Sequence, residues 1–236
     1  SLMFKPFVAC LILTGIHAYL GMHVVERGVI FVDLALAQIA ALGATIGFLL
    51  NFGLHTRADY MISLGFTFIG AVIFAMTRFR RQKVPQEAII GIVYAVSAAA
   101  AILILSRAPG GSEEIKEFLV GNVLLVDWPE IRYTFAVYAV IGLVHWLCRK
   151  PLFLISSDPQ AAFDKGMAVR WWDLLFYTTF GFVVTSSVQI AGVLLVFSFL
   201  VVPAVCAVII THNLGRRLWI GWILGTLTSM AGVTLS

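Results

Sequence analysis

The sequence is short of charge. Only 12% of its 236 residues are Asp, Glu, Lys or Arg, whereas 61% are hydrophobic, and the mean hydropathy is +0.98. Polar groups this scarce cannot cover a soluble globule of this size, so the composition excludes a soluble fold. We predict an all-α, polytopic membrane protein that forms a single transmembrane domain over residues 1–236.

Motifs for covalent chemistry and nucleotide binding are also missing. The sequence holds no G-x-S-x-G and no phosphate loop G-x-x-x-x-G-K-[ST], and the segment from His23 to Glu26 is not H-E-x-x-H. Cys10, Cys148 and Cys206 lie in or beside apolar stretches without a C-x-x-C pair, which is typical of buried hydrophobic side chains. We expect no signal peptide, no catalytic residues, no cofactor in this subunit and no nucleotide hydrolysis by this chain.

Apolar runs separated by charged, Pro or Gly clusters predict eight transmembrane helices, each close to the roughly 17–25 residues that a bilayer requires. They lie near residues 7–25, 29–50, 59–77, 87–105, 132–149, 171–187, 189–211 and 217–235. The sixth and seventh need a turn near Thr185–Gln189, because one helix of about 40 residues is too long for a bilayer. Two longer connections remain, an outer loop at 106–131 and an inner loop at 151–170. The outer loop includes a short apolar segment that we expect to be re-entrant or interfacial.

The basic residues indicate how these helices are oriented. With eight spans, Arg27 and the clusters at 78–83, 149–150, 165–170 and 216–217 fall on one face, which carries eleven Lys or Arg against five on the other. Such an excess marks the cytoplasmic side, so we predict that both termini lie outside. Because the basic residues sit at the ends of apolar runs, we expect contact with membrane lipid and not with nucleic acid.

The second span, Arg27–Leu50, carries a carboxylate and an amide among small apolar residues. A charge well inside the hydrocarbon costs at least about 2.5 kcal/mol, so Asp33 should face the protein interior or a water-filled path. A role in transport and burial against an Arg or His of the bundle are both open for Asp33, and Gln38 is a second candidate for the path. Gly43 and Gly47 have the spacing of close helix packing, which we favour over contact with substrate.

His17 and His23 are further candidates for a transport path. Imidazole and carboxylate groups are ligands for zinc, iron and manganese, and Asp33 is the candidate metal ligand. The two histidines are six residues apart, so on a helix they point ~120° away from sharing a face. A hydrogen-bonded structural role is therefore favoured over metal binding for each histidine.

The inner loop contains a short helix that three signals support. Asp158 can cap its start, Pro159 suits its first position, and Gly166 suits the residue after its end. Ala162 and Phe163 would then be available to a groove on a partner protein. A surface helix that packs on lipid headgroups has the same pattern, so both interpretations are open.

The order of these segments resembles the membrane permease subunit of bacterial ABC importers for zinc, manganese and iron. The matching segments are residues 21–43, GNVLLVDW at 121–128, DPQAAFDKGM at 158–167 and QIAGVLLVFSFLVVPAVCAVIITHNLGRR at 189–217. The last segment is the most specific, because Gly192, a leucine-rich run and Pro203 follow in the family's order.

This resemblance implies a larger assembly in the bacterial inner membrane. Two copies of the chain would pair as a homodimer with two cytoplasmic ATPase subunits that bind ATP and magnesium, and an extracytoplasmic substrate-binding protein would deliver the ion. The helix at 158–166 would be the coupling helix that enters the ATPase. Asp127 and Glu130 of the outer loop would be contacts for the delivery protein. ATP hydrolysis would alternate access to a path between the two permease copies.

The second span departs from the family pattern D-A-L-S-H-x-x-L-P-G. With Gly43 aligned, Gln38 stands where the family has histidine and Leu34 where it has aspartate, and Asp33 is displaced by one residue. An amide oxygen is a weak, hard ligand, so we do not expect strong zinc binding here. A hydrated path, another metal, a site at the histidines of the first span and a different cargo are all open. An ion-coupled secondary transporter or channel that uses Asp33 is the alternative function.

Overall fold

The computed structural model describes residues 3–50, 52, 56–80, 84–106, 121 and 123–235. This part of the chain holds nine α-helices, one short 3-10 helix and no strand, which confirms the all-α fold. The helices are α1 (Phe4–Glu26), α2 (Val32–Leu49), α3 (Arg57–Met76), α4 (Gln86–Leu105), the 3-10 helix (Val123–Leu125), α5 (Trp128–Leu147), α6 (Arg149–Ser157), α7 (Pro159–Asp164), α8 (Val169–Ile210) and α9 (Leu214–Leu235). Expectations about Arg81, Lys83 and residues 107–120 fall outside the described residues.

Helices cover all eight predicted spans. Five helices, α1 to α4 and α8, are long and apolar enough to cross a membrane. Together α5 and α6, which are bent by 77° at their junction, form a sixth candidate within the described residues. The multi-pass character is thereby confirmed, whereas the number of crossings stays a prediction.

The predicted turn at Thr185–Gln189 is wrong, because α8 continues through these residues. The hydroxyl of Ser186 donates to the carbonyl of Phe182 in the preceding turn at 2.8 Å, so this polar side chain is satisfied without interrupting the helix. The break comes at Gly192, where φ is 71° and ψ is 163°. A straight helix of this length would be about 63 Å long, twice the thickness of the bilayer core, so a break is still required. Glycine adopts this backbone conformation without a steric penalty.

The long helix α8 forms the centre of the bundle. It packs against α1, α2, α3 and α9, and its Phe176, Tyr177 and Phe180 are among the largest fully buried side chains. At the periphery, α4 exposes apolar side chains such as Ile92 and Val96, which are 64% and 63% exposed. Exposed apolar surface of this kind is expected where helices contact lipid or another apolar surface.

Helices α2 and α3 approach each other closely. A Cβ atom at Gly43 would lie 2.9 Å from the Cα of Ser63 and 3.0 Å from the Cβ of Phe66. Real Cβ contacts are almost never that short, so this glycine is needed for helix packing. The interpretation that the small residues of the second span serve packing is confirmed.

Basic residues from several predicted clusters meet at one end of the bundle, the end that carries α7. The ion pairs there join Arg27 and Arg78 to Asp173, Arg80 to Asp164, and Arg217 to Glu26. This agrees with their predicted location on a common face. The side of the membrane that this face occupies stays a prediction.

Candidate functional site

Asp33 is buried in the bundle, and its carboxylate has no hydrogen-bond partner among the described residues. It lies in the first turn of α2, only 1% exposed, and neither carboxylate oxygen accepts a hydrogen bond within the described part of the chain. An unpaired buried polar group costs about 1–3 kcal/mol. The positive end of the α2 dipole offsets about 0.3–1 kcal/mol of this cost. Burial against an Arg or His, which is one of the two expectations, is not observed among the described residues, and a role in transport stays a prediction.

Hydrogen bonds beside Asp33 connect α5, α8 and α1. The Tyr138 hydroxyl lies 3.2 Å from Oγ of Ser186 and also bonds to Ser187, whose Oγ lies 3.2 Å from Nε2 of His17. Nδ1 of His17 donates at 2.8 Å to a carbonyl one turn earlier in α1. A carbonyl can only accept, so Nδ1 carries the proton and Nε2 is an acceptor. Both ring nitrogens of His17 are engaged, as a structural histidine requires. Tyr138 lies within electrostatic range of Asp33.

Asp33 and Gln38 do not form a joint site. Gln38 is half-buried on α2, and a separation of five residues turns the two side chains to different faces of the helix. No group of three His, Cys, Asp or Glu side chains in the described ranges lies close enough to hold a metal ion. A cation at Asp33 would have to complete its coordination with water, with neutral oxygen atoms or with groups from a second copy.

His23 belongs to a buried polar cluster at the end of α1. Its Nδ1 lies 2.8 Å from Oγ of Ser156, and the same oxygen accepts from Nε of Arg27 at 2.9 Å. Arg27 also donates to Asp173, and Nε of Arg78 lies 3.7 Å from the other oxygen of Asp173. All five residues are buried. His23 therefore has a structural partner, while its Nε2 has none among the described residues.

Asp173 and Tyr138 are two buried polar residues that were not predicted from the sequence. Asp173 falls inside the predicted span 171–187, so the energetic argument applied to Asp33 would have identified it too. Tyr138 has no local signal, because its importance arises only when α5 packs against the Ser186 and Ser187 turn of α8.

The short helix α7 forms as predicted. Oδ1 of Asp158 accepts from the N–H of Ala161 at 2.9 Å, which is an N-cap, and Pro159 occupies the first helical position. Gly166 follows the end of the helix with a φ of 70°. All three sequence signals are confirmed, whereas the docking role of the helix stays a prediction.

Only one face of α7 is free for a partner. The expectation that Ala162 is available is wrong, because this residue is fully buried against Ile155 and Val169. Its methyl group anchors α7 to α6 and α8. Phe163 is half-buried at the edge of this cluster and Gln160 is exposed, so a docked protein would contact these two side chains.

Asp127 and Glu130 organise the start of α5. The N–H of Asp127 donates to Oε2 of Glu130 at 3.3 Å, and Nζ of Lys5 pairs with Asp127 at 2.7 Å. The side chain of Asp127 is still 71% exposed, so it can also meet another protein. Their contact with a delivery protein stays a prediction.

The described end of the outer loop reaches the break in α8. Gly121 has a φ of 66°, and a Cβ atom there would lie 2.2 Å from N of Gly192 and 2.3 Å from C of Ala191. Any larger residue would overlap the backbone of α8, so the approach depends on glycine. The 3-10 helix that follows contacts α1 and α8, but none of its residues is buried, so the expected shielding by other helices is not observed for Val123–Leu125.

Comparisons with known proteins give one consistent result. The ABC 3 transport family matches this chain over residues 1–236. The "Manganese transport system membrane protein MntC" of Halalkalibacterium halodurans is 24% identical over 243 residues, covering 100% of this chain and 79% of that protein. The "Probable iron transport system membrane protein" of Haemophilus influenzae is 26% identical over 237 residues, covering 99% and 80%. The solved structure "PsaBC from Streptococcus pneumoniae in complex with Fab" has the same fold, with a TM-score of 0.78 at 22% identity over 98% of this chain and 81% of that one.

Proposed function

Because this chain belongs to the ABC 3 transport family, we propose that it is the permease subunit of an ATP-driven importer for a divalent metal ion. As a permease it is a transport subunit and not an enzyme, and a separate ATPase subunit would bind ATP and magnesium and hydrolyse the nucleotide. The observation that carries this proposal is the buried carboxylate of Asp33, which has no hydrogen-bond partner among the described residues, in a chain that matches a transport family over its whole length. The names of the manganese and iron relatives support the class of cargo.

Manganese or ferrous iron fits the site better than zinc. The carboxylate of Asp33 is a hard oxygen group, which suits manganese. His17, whose imidazole is bonded to Ser187, already uses both of its ring nitrogens in hydrogen bonds.

Uptake into lipid vesicles tests the cargo. The chain, reconstituted with its ATPase facing the vesicle interior and its substrate-binding protein outside, should accumulate radiolabelled manganese or iron when ATP is enclosed in the vesicle. Zinc should accumulate at least roughly tenfold more slowly, a difference of about 1.4 kcal/mol. Preferred uptake of zinc would contradict the proposed selectivity. Uptake that an ion gradient drives without the ATPase would instead support a secondary transporter that uses Asp33.

The surrounding assembly follows from the same proposal. Two copies of the chain would enclose the path, with α7 on the cytoplasmic side because the basic residues gather at that end. The start of α1 and the end of α9 would then face outward. Asp127 and Glu130 would meet the substrate-binding protein at the outer face, where Asp127 is exposed.

A bulky substitution on α7 tests the docking role. Gln160→Trp adds volume to the exposed face without disturbing buried Ala162, so it should block co-purification of the ATPase. Leu125→Trp is the matched control, since Leu125 is 72% exposed on the 3-10 helix of the outer loop. Full recovery of the ATPase with Gln160→Trp, or with the whole segment 158–166 deleted, would exclude α7 as the docking element.

A further inference from the structure

We propose that Arg27 and Asp173 are positioning residues that transmit movement of α7 to α1 and α2. This proposal rests on the proposed ATP-driven function. Helix α7 lies between α6 and α8 in the chain, and Arg27 contacts both of these neighbouring helices. Its Nε donates at 2.9 Å to Ser156, two residues before the cap of α7, and its Nη1 donates to Asp173 in the second turn of α8.

The guanidinium group of Arg27 is well restrained. It lies over the ring of Phe176, with Cζ 4.0 Å from the ring centroid, and its side chain is fully buried. The hydroxyl of Ser156 donates its proton to a carbonyl of its own helix at 2.8 Å, so its oxygen is left to accept from Arg27 and His23. Since the contacts on both sides of α7 converge on one planar group, a displacement of α7 must displace Arg27 as well.

Arg27 leads directly into the helix that carries Asp33. The connection between α1 and α2 is short and closed by backbone hydrogen bonds, among them Val29 N–H to Val24 O and Val32 N–H to Val29 O, both 3.1 Å. Such a turn passes on a displacement instead of absorbing it. Movement at Arg27 therefore reaches the first turn of α2, where Asp33 lies.

The same cluster extends to α3 and α4 through Arg78. Its Nη1 donates to Gln86 at 2.6 Å, and Gln86 donates to the carbonyl of Phe74 at 3.0 Å. Nε of Arg78 lies 3.7 Å from Oδ2 of Asp173, which is beyond hydrogen-bond distance. Through Arg27 and Arg78, residues at the ends of α1, α3 and α4 are thus linked to Asp173 in α8.

Some hydrogen-bond donors and acceptors in this cluster are not used. Two guanidinium groups share one carboxylate, and among the described residues neither Nη2 of Arg27 nor Oδ2 of Asp173 has a hydrogen-bond partner. Replacing a buried ion pair by apolar side chains is often neutral or stabilising, so stability alone is a weak explanation for this cluster. Unused donors and acceptors allow a second bonding pattern, with Arg78 closer to Asp173, when α7 changes position.

A distance measurement tests the link directly. Spin labels at Ser157, exposed directly before the cap of α7, and at Phe31, 50% exposed just before α2, report whether the two elements move together. In the complex with the ATPase, the distance should stay single and narrow with and without nucleotide, and it should broaden in Asp173→Asn. A distance that changes with nucleotide in the native protein, or that stays narrow in Asp173→Asn, would overturn the proposal.

The ratio of metal imported to ATP hydrolysed gives the functional test. Asp173→Asn should still bind the ATPase and hydrolyse ATP, while the metal imported per ATP falls about tenfold, within the usual range of coupling between sites. Glu26→Gln is the matched control, because it removes an ion pair at the same end of α1 that contacts neither side of α7. Equal ratios for Asp173→Asn and the native protein, or an equal loss in Glu26→Gln, would contradict the link. An absence of ATP-driven uptake by the native complex would refute the proposed function alone, since the spin-label distances test the link without transport.

Discussion

Replacing Asp33 by alanine should separate transport from stability. The carboxylate is 1% exposed and has no hydrogen-bond partner among the described residues, so it contributes little to holding the bundle together. If it serves the path of the ion, its removal should abolish uptake while the fold persists. A carboxylate needed for structure would show the opposite order of effects.

The expected change in stability follows from three opposing contributions. Removing an unpaired buried polar group gains about 1–3 kcal/mol. Losing the charge at the start of α2 costs about 0.3–1 kcal/mol, and the small space left by the carboxyl group costs about 1 kcal/mol more. The net change lies within about 2 kcal/mol of zero, which corresponds to a shift in melting temperature of a few degrees.

Asp173→Ala is the matched comparison. It also removes a buried carboxylate, but one that pairs with Arg27 and lies near Arg78. Leaving those guanidinium groups without their partner should cost about 3–5 kcal/mol, or roughly 6–20 °C in melting temperature. Thermal unfolding in detergent, followed through tryptophan fluorescence, measures both variants against the native protein.

Uptake completes the assay for Asp33→Ala. ATP-driven accumulation of manganese or iron in vesicles should fall by at least about tenfold. Native uptake by Asp33→Ala would remove Asp33 from the path. A loss of melting temperature as large as that of Asp173→Ala would show that Asp33 has a structural partner after all.

Two further substitutions probe the outer segment and the hydrogen-bonded chain. Gly121→Ala would place a Cβ atom 2.2 Å from N of Gly192, so overpacking should lower stability by at least about 1–3 kcal/mol. Gly142→Ala is the control for thermal unfolding, because no atom lies within 4 Å of the Cβ it would add. Equal shifts in melting temperature for the two variants would contradict the close approach of Gly121 to α8. Tyr138→Phe removes a hydroxyl that bonds to two serines of α8 and should cost about 1–2 kcal/mol with reduced uptake. Tyr94→Phe is the control, because Tyr94 is partly exposed. Equal melting temperatures and equal uptake in the two Phe variants would show that the hydrogen bonds of Tyr138 are dispensable.

Features that depend on neighbouring residues could be predicted from the sequence. The composition and the length of the apolar runs determine a multi-pass helical protein, because apolar runs of this length cross a bilayer as helices, which satisfy their own backbone groups. The start and end of α7 were predicted correctly for a similar reason. A cap at Asp158 and a terminating glycine at 166 act within a few residues, so no distant contact is needed to form them.

The break in α8 shows where local reasoning fails. The polar residues near 185–189 look like a turn, but Ser186 satisfies its hydroxyl within its own helix, so polarity there does not end the helix. Gly192 is one of many glycines in the sequence, and the helix breaks at this one, where it contacts Gly121, a residue far away along the chain. Similarly, Ala162 was expected to be exposed, because a six-residue helix does not reveal which face it buries.

The sequence by itself determined that the chain crosses a membrane and that Asp33 needs an explanation, because the cost of a charge in hydrocarbon is independent of its neighbours. Only the tertiary structure decided which buried charges have partners. Arg27 and Asp173 are 146 residues apart and form an ion pair, whereas Asp33 finds no partner among the described residues. Pairing of this kind depends on how the helices pack against one another, and residues so distant in the chain meet only when the bundle has assembled.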